Sequence, residues 1–209
     1  MQSLLIENQY FGTVSYYKIL FQYKYIKIEQ CELYQKASFR NRCVIPGANG
    51  LIHLSVPLQK GRDQKAFFKE VQIAYKTNWV IQHCRSMDAC YNRAPFFEYY
   101  RDELYGILKE REPSLFKLNW NLMHWIFKKL KYLPEIELTD QYIQNPDQGI
   151  RDARNLILPG KDLSGIQVNR YAQVFEDRNG FQSPCSVLDI LFNLGPSAID
   201  WLRDNDNQF

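Results

Sequence analysis

Between Tyr34 and Arg42 the chain reads YQKASFRNR, and six of these side chains are equipped for ionic or hydrogen-bonding chemistry: Tyr34, Lys36, Ser38, Arg40, Asn41 and Arg42. In an extended segment residues two apart share a face, so Tyr34, Lys36, Ser38, Arg40 and Arg42 would line one side. That set suits a phosphate or carboxylate. Arginine donates two parallel hydrogen bonds and lysine adds a point charge. The same spacing also describes a solvated strand face neutralised by Glu29 and Glu32. On the pattern alone both readings stay open.

Other groups carry weaker signals. Gly61-Arg62-Asp63-Gln64-Lys65 is a basic loop that either closes on an anion or is a plain soluble turn. His83, Cys84, Arg85, Asp88, Cys90, Tyr91, Asn92 and Arg93 gather on one helix and its end. No second ligand pair stands at zinc spacing, so no metal site is read here. The thiols read as core, with a Cys/His nucleophilic pair as the alternative, and Arg85 and Arg93 are better functional candidates than either thiol. Asn119, Trp120, His124 and Trp125 read as the buried face of a further helix. Gln173, Glu176, Asp177 and Arg178 flank a glycine turn ahead of a helix N-terminus, where Glu176 or Asp177 would act as general base or bind sugar hydroxyls. Packing explains that group equally well. Asp189 lies inside an apolar helix and requires a partner.

The elements that would position these groups follow from periodicity. SLLIENQYF reads as a strand, Gly12 and Thr13 as a turn, SYYKILFQY as a helix and KYIKIEQ as a strand. RCVIP and LIHLSVPL around GANG form a hairpin signature, with strands over 42–45 and 51–58. KEVQIAY alternates like a strand. Helices are expected near 79–92, 95–111 and 114–131, with Thr77 and Ser114 as N-caps and Pro95 in a first turn. EIELTD reads as a strand, 144–161 as a loop and IQVNRYAQVF as a strand. SVLDILFNLG and SAIDWLRDN read as closing helices, the first ended by Gly195. The sum is an α/β (or α+β) domain over residues 1–209. It has an N-terminal strand–helix–strand unit, a mixed sheet that includes the hairpin, and a helical middle section.

Bulk properties exclude several classes. The 209 residues carry a net charge of +3, are 45% hydrophobic and contain no low-complexity tract. A sequence pI of about 8.5 falls short of the basicity of dedicated nucleic-acid domains, so nucleic acid is not indicated. Cys31, Cys43, Cys84, Cys90 and Cys185 form no CxxC pair and are an odd number, which points to free thiols in a reducing cytoplasm. No apolar run reaches the ~18 residues of a membrane span.

Several stretches together resemble the WbqC-like protein family: NQYFGTVSYYKIL, YQKASFRNRCVIPGANGLIHLSVPL, APFFEYYRDEL, YAQVFEDRNGF and SVLDILFNLGP. The resemblance leaves out the region from about 134 to 164. Residues 133–165 are loop-rich and shortened relative to longer members. It implies a bacterial protein linked to surface-polysaccharide or O-antigen biosynthesis. It favours the ligand-gripping reading of Lys36, Ser38, Arg40, Asn41 and Arg42, and brings Gln9 into the set. Where longer members resemble His-Gln-Pro-x-Tyr-x-Pro-Trp, this chain has Asn8, Gln9 and Gly12. The N-terminal strand–turn–helix is also similar to Rossmann-like nucleotidyltransferases, a fold-level likeness alone.

The expectation is a transferase acting on a small anionic metabolite, an activated sugar or acyl group. Lys36, Arg40 and Arg42 hold its anion in concert with Arg93 or Arg178. Ser38, Asn41 and Tyr34 orient its hydroxyls. A catalytically degenerate metabolite- or partner-binding module is the alternative, and RNA binding ranks last. The sequence names no cofactor.

Overall fold

The first strand, β1 (Ser3–Glu7), is apolar on both faces and buried from Leu4 onward, the pattern of a strand covered on both sides. The computed structural model describes residues 2–61 and 63–203; Arg62 of the basic loop lies outside them. Thr13 caps α1 (Val14–Leu20), its Oγ1 accepting from Tyr16 N at 3.2 Å. Strand β2 (Tyr25–Glu29) returns parallel to β1, Leu4 opposite Ile26 and Glu7 opposite Glu29. This is the expected strand–helix–strand unit.

The chain then makes a hairpin, β3 (Arg42–Gly47) and β4 (Gly50–Ser55), closed through Ala48 and Asn49 with Gly50 at φ 108°. The hairpin was expected inside a mixed sheet. It forms a separate two-stranded antiparallel sheet, and its strands run on to Gly47 and Gly50. Ser186 N donates to Val44 O, so other segments of the chain cover it. The α/β class stands.

Helices α2 (Trp79–Tyr91), α3 (Phe97–Lys109) and α4 (Leu115–Lys129) form the helical middle as expected. Ser114 caps α4 by accepting from Lys117 N. Asn78, without a side-chain cap bond, stands where Thr77 was expected. Pro95 lies ahead of α3 rather than within its first turn.

Strand β5 (Glu135–Leu138) pairs parallel with β2, and β6 (Ile150–Asp152) pairs parallel with β1 on its other side. The main sheet is therefore β5-β2-β1-β6, all parallel. β6 lies within 144–161, read above as loop; Ser3 N to Gly149 O and Ala153 N to Leu5 O bracket its pairing. Three residues carry too little periodicity to announce a strand, and the open edge of β1 creates one. β7 (Ile157–Leu158) and β8 (Lys161–Asp162) follow as a small hairpin turning through Gly160.

Two expected strands dissolve. KEVQIAY becomes a 3-10 turn over Phe68–Glu70 and isolated bridges, because Ile73 N donates to Pro113 O and Ala74 N to Pro57 O, two different neighbours. IQVNRYAQVF runs irregularly, and its Tyr171 OH and Gln173 Nε2 donate to Asp189 Oδ2 at 2.6 and 2.7 Å. Asp189 thus has the partners it requires, on α6 (Val187–Leu194), which follows the short α5 (Glu176–Asn179) and precedes α7 (Ala198–Arg203). One contiguous set of buried side chains runs from Leu4 to Leu202. No helix among the described residues is long and apolar enough to cross a membrane.

Gly195 ends α6 at φ 56°, and a Cβ there would lie 2.4 Å from the Phe96 ring. Gly195→Ala is therefore expected to cost roughly 2–4 kcal/mol in urea unfolding, from the left-handed backbone plus overpacking. An unchanged urea midpoint would contradict this packing. All five cysteines are free and buried, and burial pushes the Cys84 and Cys90 thiols up to about 11. Native protein should react slowly with Ellman's reagent and release all five thiols on unfolding. Fast native reaction or a mass gain on reduction would contradict it.

Candidate functional site

Glu7 and Glu29 end their strands at the carboxyl edge of the parallel sheet. The chain leaves β1 for β2 on one side, and β6 takes the other side. Strand order therefore reverses between β1 and β6, where open α/β sheets bind ligands. Around that point the side chains form a connected polar network. Glu7 accepts from Gln9 Nε2 at 2.7 Å and from Asn155 N at 2.9 Å. Arg40 donates to Glu32 Oε1 through Nε and Nη2, at 2.8 and 2.5 Å, and Nη2 also reaches Asn155 Oδ1 at 2.9 Å. Asn119 Nδ2 donates to Arg40 O. Beside it, Glu29 accepts from Arg154 Nη1 at 3.1 Å and from Thr139 Oγ1 at 2.8 Å.

Glu7, Gln9, Glu29, Glu32 and Arg40 are all buried. Burial, reinforced by the carboxylates of Glu7 and Glu29, outweighs the Arg40 guanidinium and pushes the Glu32 carboxyl up to about 7. That places it in the range of a working general base. Buried polar atoms normally find partners. Here Arg40 Nη1, Gln9 Oε1, Asn8 Oδ1 and Asn119 Oδ1 have none. Phe11, Ala37 and Asn155 hold φ of 45°, 55° and 59° in the surrounding turns; such strain concentrates at functional sites.

A cleft of about 370 Å³ opens alongside, lined by Ser15, Phe39, Ile157, Leu158, Lys161 and Ser183 among others. Phe39 precedes Arg40 and Ile157 follows Asn155 by two residues in the chain, but no residue of the network itself lines the cleft. A larger hollow of about 650 Å³ lies over the amino-terminal parts of β2 and β5. Its Lys27 is paired with Glu137 at 3.0 Å, and none of the unpartnered buried atoms lines it.

The residues singled out in the sequence fall in several places. The 34–42 segment is not extended: Ala37 takes the left-handed conformation and Ser38 Oγ donates to Gln35 O. A turned backbone breaks the alternation. Lys36 is exposed and pairs with Asp63 at 2.7 Å, whereas Arg40 is fully buried on Glu32. Tyr34 OH donates to Asn41 Oδ1, and Asn41 Nδ2 to Val56 O, so this pair ties the segment to the hairpin. Arg42 is half-buried, with its Nε unpartnered. Glu29 and Glu32, considered above as partners on a solvated face, are instead interior.

Arg93 is exposed beyond the end of α2. Arg178 Nη2 donates to Asn49 Oδ1, and Asn179 Nδ2 to Gly47 O, which docks α5 on the hairpin tip. Arg40 and Asn41 lie at its root, a strand length of roughly 17 Å away. The expected convergence of Arg178 with Arg40 and Arg42 is therefore absent. Glu176 is held below the usual carboxylate range by its bond from Arg170, and Asp177 is exposed.

The motif reading missed Glu7, Glu32, Arg154, Asn155 and Asn119 as members of the site. Only Glu7 had a local signal, a carboxylate closing an apolar strand.

A family model described as the WbqC-like protein family matches residues 8–158. The chain belongs to that family. The match takes in Gln9, the 34–42 segment, Asn119 and Asn155, and so most of the network. It also takes in 134–158, which carries none of the quoted motifs, and it ends before α5 and α6. The chain is also similar to an uncharacterized protein of Mycobacterium tuberculosis, 28% identical over 202 residues and covering 81% of this chain and 84% of the relative. No solved structure matches the chain at a significant level.

The raised Glu32 carboxyl sets a pH signature. The folded state holds that proton up to about pH 7, whereas the unfolded chain releases it near the ordinary glutamate value of 4.5. This group's contribution is thus most favourable below pH 4.5 and declines as pH rises to 7. Glu32→Gln should remove that decline from urea midpoints measured between pH 5 and 8; an identical pH slope would refute it. At pH 8, Arg40→Met should cost about 3–5 kcal/mol by stranding a buried carboxylate, while Lys36→Ala should barely move the midpoint.

Proposed function

We propose that this WbqC-like protein is a transferase of bacterial surface-polysaccharide assembly that binds an anionic activated sugar or acyl metabolite at the carboxyl edge of its sheet. One observation carries the reading. At the strand-order reversal, a buried network leaves a donor, Arg40 Nη1, and an acceptor, Gln9 Oε1, without partners. A ligand offering both an anionic oxygen and a hydroxyl satisfies the pair. Lys36, with its side chain 66% exposed and paired with Asp63, supplies a charge on the same segment, and Arg42 Nε a further donor. Ser38, Asn41 and Tyr34 act by holding the segment's shape.

Glu32 is the general base in this reading, displacing Glu176 and Asp177. The Glu32 and Glu176 carboxyls each accept two bonds from an arginine, but Glu32 is raised toward neutrality and accepts a proton at working pH, whereas the bond from Arg170 holds Glu176 below the usual carboxylate range. The binding-module alternative draws on Asn8. It stands where the longer pattern has histidine, and its Nδ2 donates to Phe116 O.

Thermal-shift and calorimetric titration with nucleotide-sugars and acyl-CoAs tests the proposal. A ligand at a hundred times its Kd should add about 2.7 kcal/mol to apparent stability. Gln9→Ala and Lys36→Ala should each weaken binding about tenfold or more. Glu32→Gln should bind yet fail to turn over; if turnover persists, Glu32 is not the base. If no ligand in the panel binds, or binding ignores both alanine variants, the site assignment fails.

A further inference from the structure

At the opposite end of the sheet, the C-terminus of α4 and the start of β5 enclose a groove of about 580 Å³. It shares no lining residue with the cleft described above. Trp120 and His124 stand with ring centroids 4.3 Å apart, and Phe127 and Tyr132 form a buried floor. Leu133 is 89% exposed, a level at which a leucine leaves a large apolar surface in water. The charged lining residues are Lys128 and Lys131, with no carboxylate among them. Lys128 lies 3.8 Å from Glu103, which sits closer to Lys129.

The backbone supplies an independent observation. Helix α4 ends with Tyr132 N donating to Phe127 O and Lys131 N to Lys128 O, a Schellman closure. That closure places one residue in the left-handed region, a position glycine fills at least cost. Here Lys131 occupies it at φ 49°. A side chain kept where its absence would relieve strain points to use of the side chain.

We propose that this groove binds a planar aromatic anion, its ring against Trp120 and His124 and its negative group on Lys131. The aromatic walls offer stacking faces, and the ammonium groups select the charge. A nucleoside monophosphate and a non-nucleotide aromatic acid share this chemistry. The inference does not rest on the transferase reading.

Calorimetric titration with AMP, with 1-anilinonaphthalene-8-sulfonate and with inorganic phosphate, on wild type and three variants, tests it. The wild type should bind at least one of the two aromatic anions at a single site, and which one it prefers identifies the source. Lys131→Gly should raise Tm by about 2–4 °C, as glycine relieves the left-handed backbone, and weaken the aromatic anion about tenfold. Trp120→Leu should weaken it further, and Gln9→Ala should leave it unchanged. The proposal is overturned by any one of four results. Neither aromatic anion binds; phosphate binds as tightly as the aromatic anions; Lys131→Gly keeps full affinity; or Gln9→Ala abolishes binding, which moves the ligand to the other end of the sheet.

Discussion

A guanidinium removed from water costs several kcal/mol unless its charge and donors are met inside the protein. Arg40 has been removed completely, and much of the carboxyl edge is arranged around it. Glu32 accepts two bonds from it, Asn155 takes a further bond from Nη2, and Asn119 of α4 grips its carbonyl. Through Asn155 N the same network reaches Glu7 at the end of β1. One side chain thus joins the segment before the hairpin, the turn after β6 and the third long helix. Asn155 follows β6 closely, so the junction adds a side-chain tie beside the short pairing of β6 with β1.

The second half of the chain is anchored by a different buried charge. Asp189, in the apolar helix α6, accepts from Tyr171 and Gln173 and so holds a segment with no regular structure against the core. Burial pushes its carboxyl up to about 6. His83 is displaced in the opposite sense, down to about 4, because burial disfavours its cationic form while Tyr10 OH shares its Nδ1. Interior acids kept protonated higher and an interior histidine kept neutral lower are two faces of one desolvation effect.

The sheet has two chemically unlike ends. Its carboxyl edge gathers buried carboxylates, guanidinium groups and amides, with polar atoms left unpartnered. Its amino end, beside β5, presents aromatic rings and lysines around an apolar groove. The first arrangement suits recognition of a polar, multiply hydrogen-bonding molecule, and the second a flat, charged one. In both, the backbone departs from its preferred conformations near the groups of interest, at Phe11, Ala37 and Asn155 in one case and Lys131 in the other.

What the sequence determined by itself was whatever depends on neighbours in the chain. The apolar run of β1, the turn at Gly12 and Thr13, the Ser114 cap, the three long helices and the GANG hairpin all follow from local periodicity and turn chemistry. The family was also legible, because its motifs are contiguous. The tertiary structure decided everything that rests on pairing across distance. β6 exists only because β1 offers an open edge, and the expected strands at 69–75 and 166–175 failed because no single neighbour offered a ladder. The alternation in YQKASFRNR read as one charged face, but Ala37 turned the backbone and sent Lys36 to solvent and Arg40 into the core. Arg40 and Asn155 are 115 positions apart in the chain, and Glu7 and Asn155 are 148 apart. No local pattern encodes such contacts, because burial free energy is a property of the assembled interior rather than of any segment.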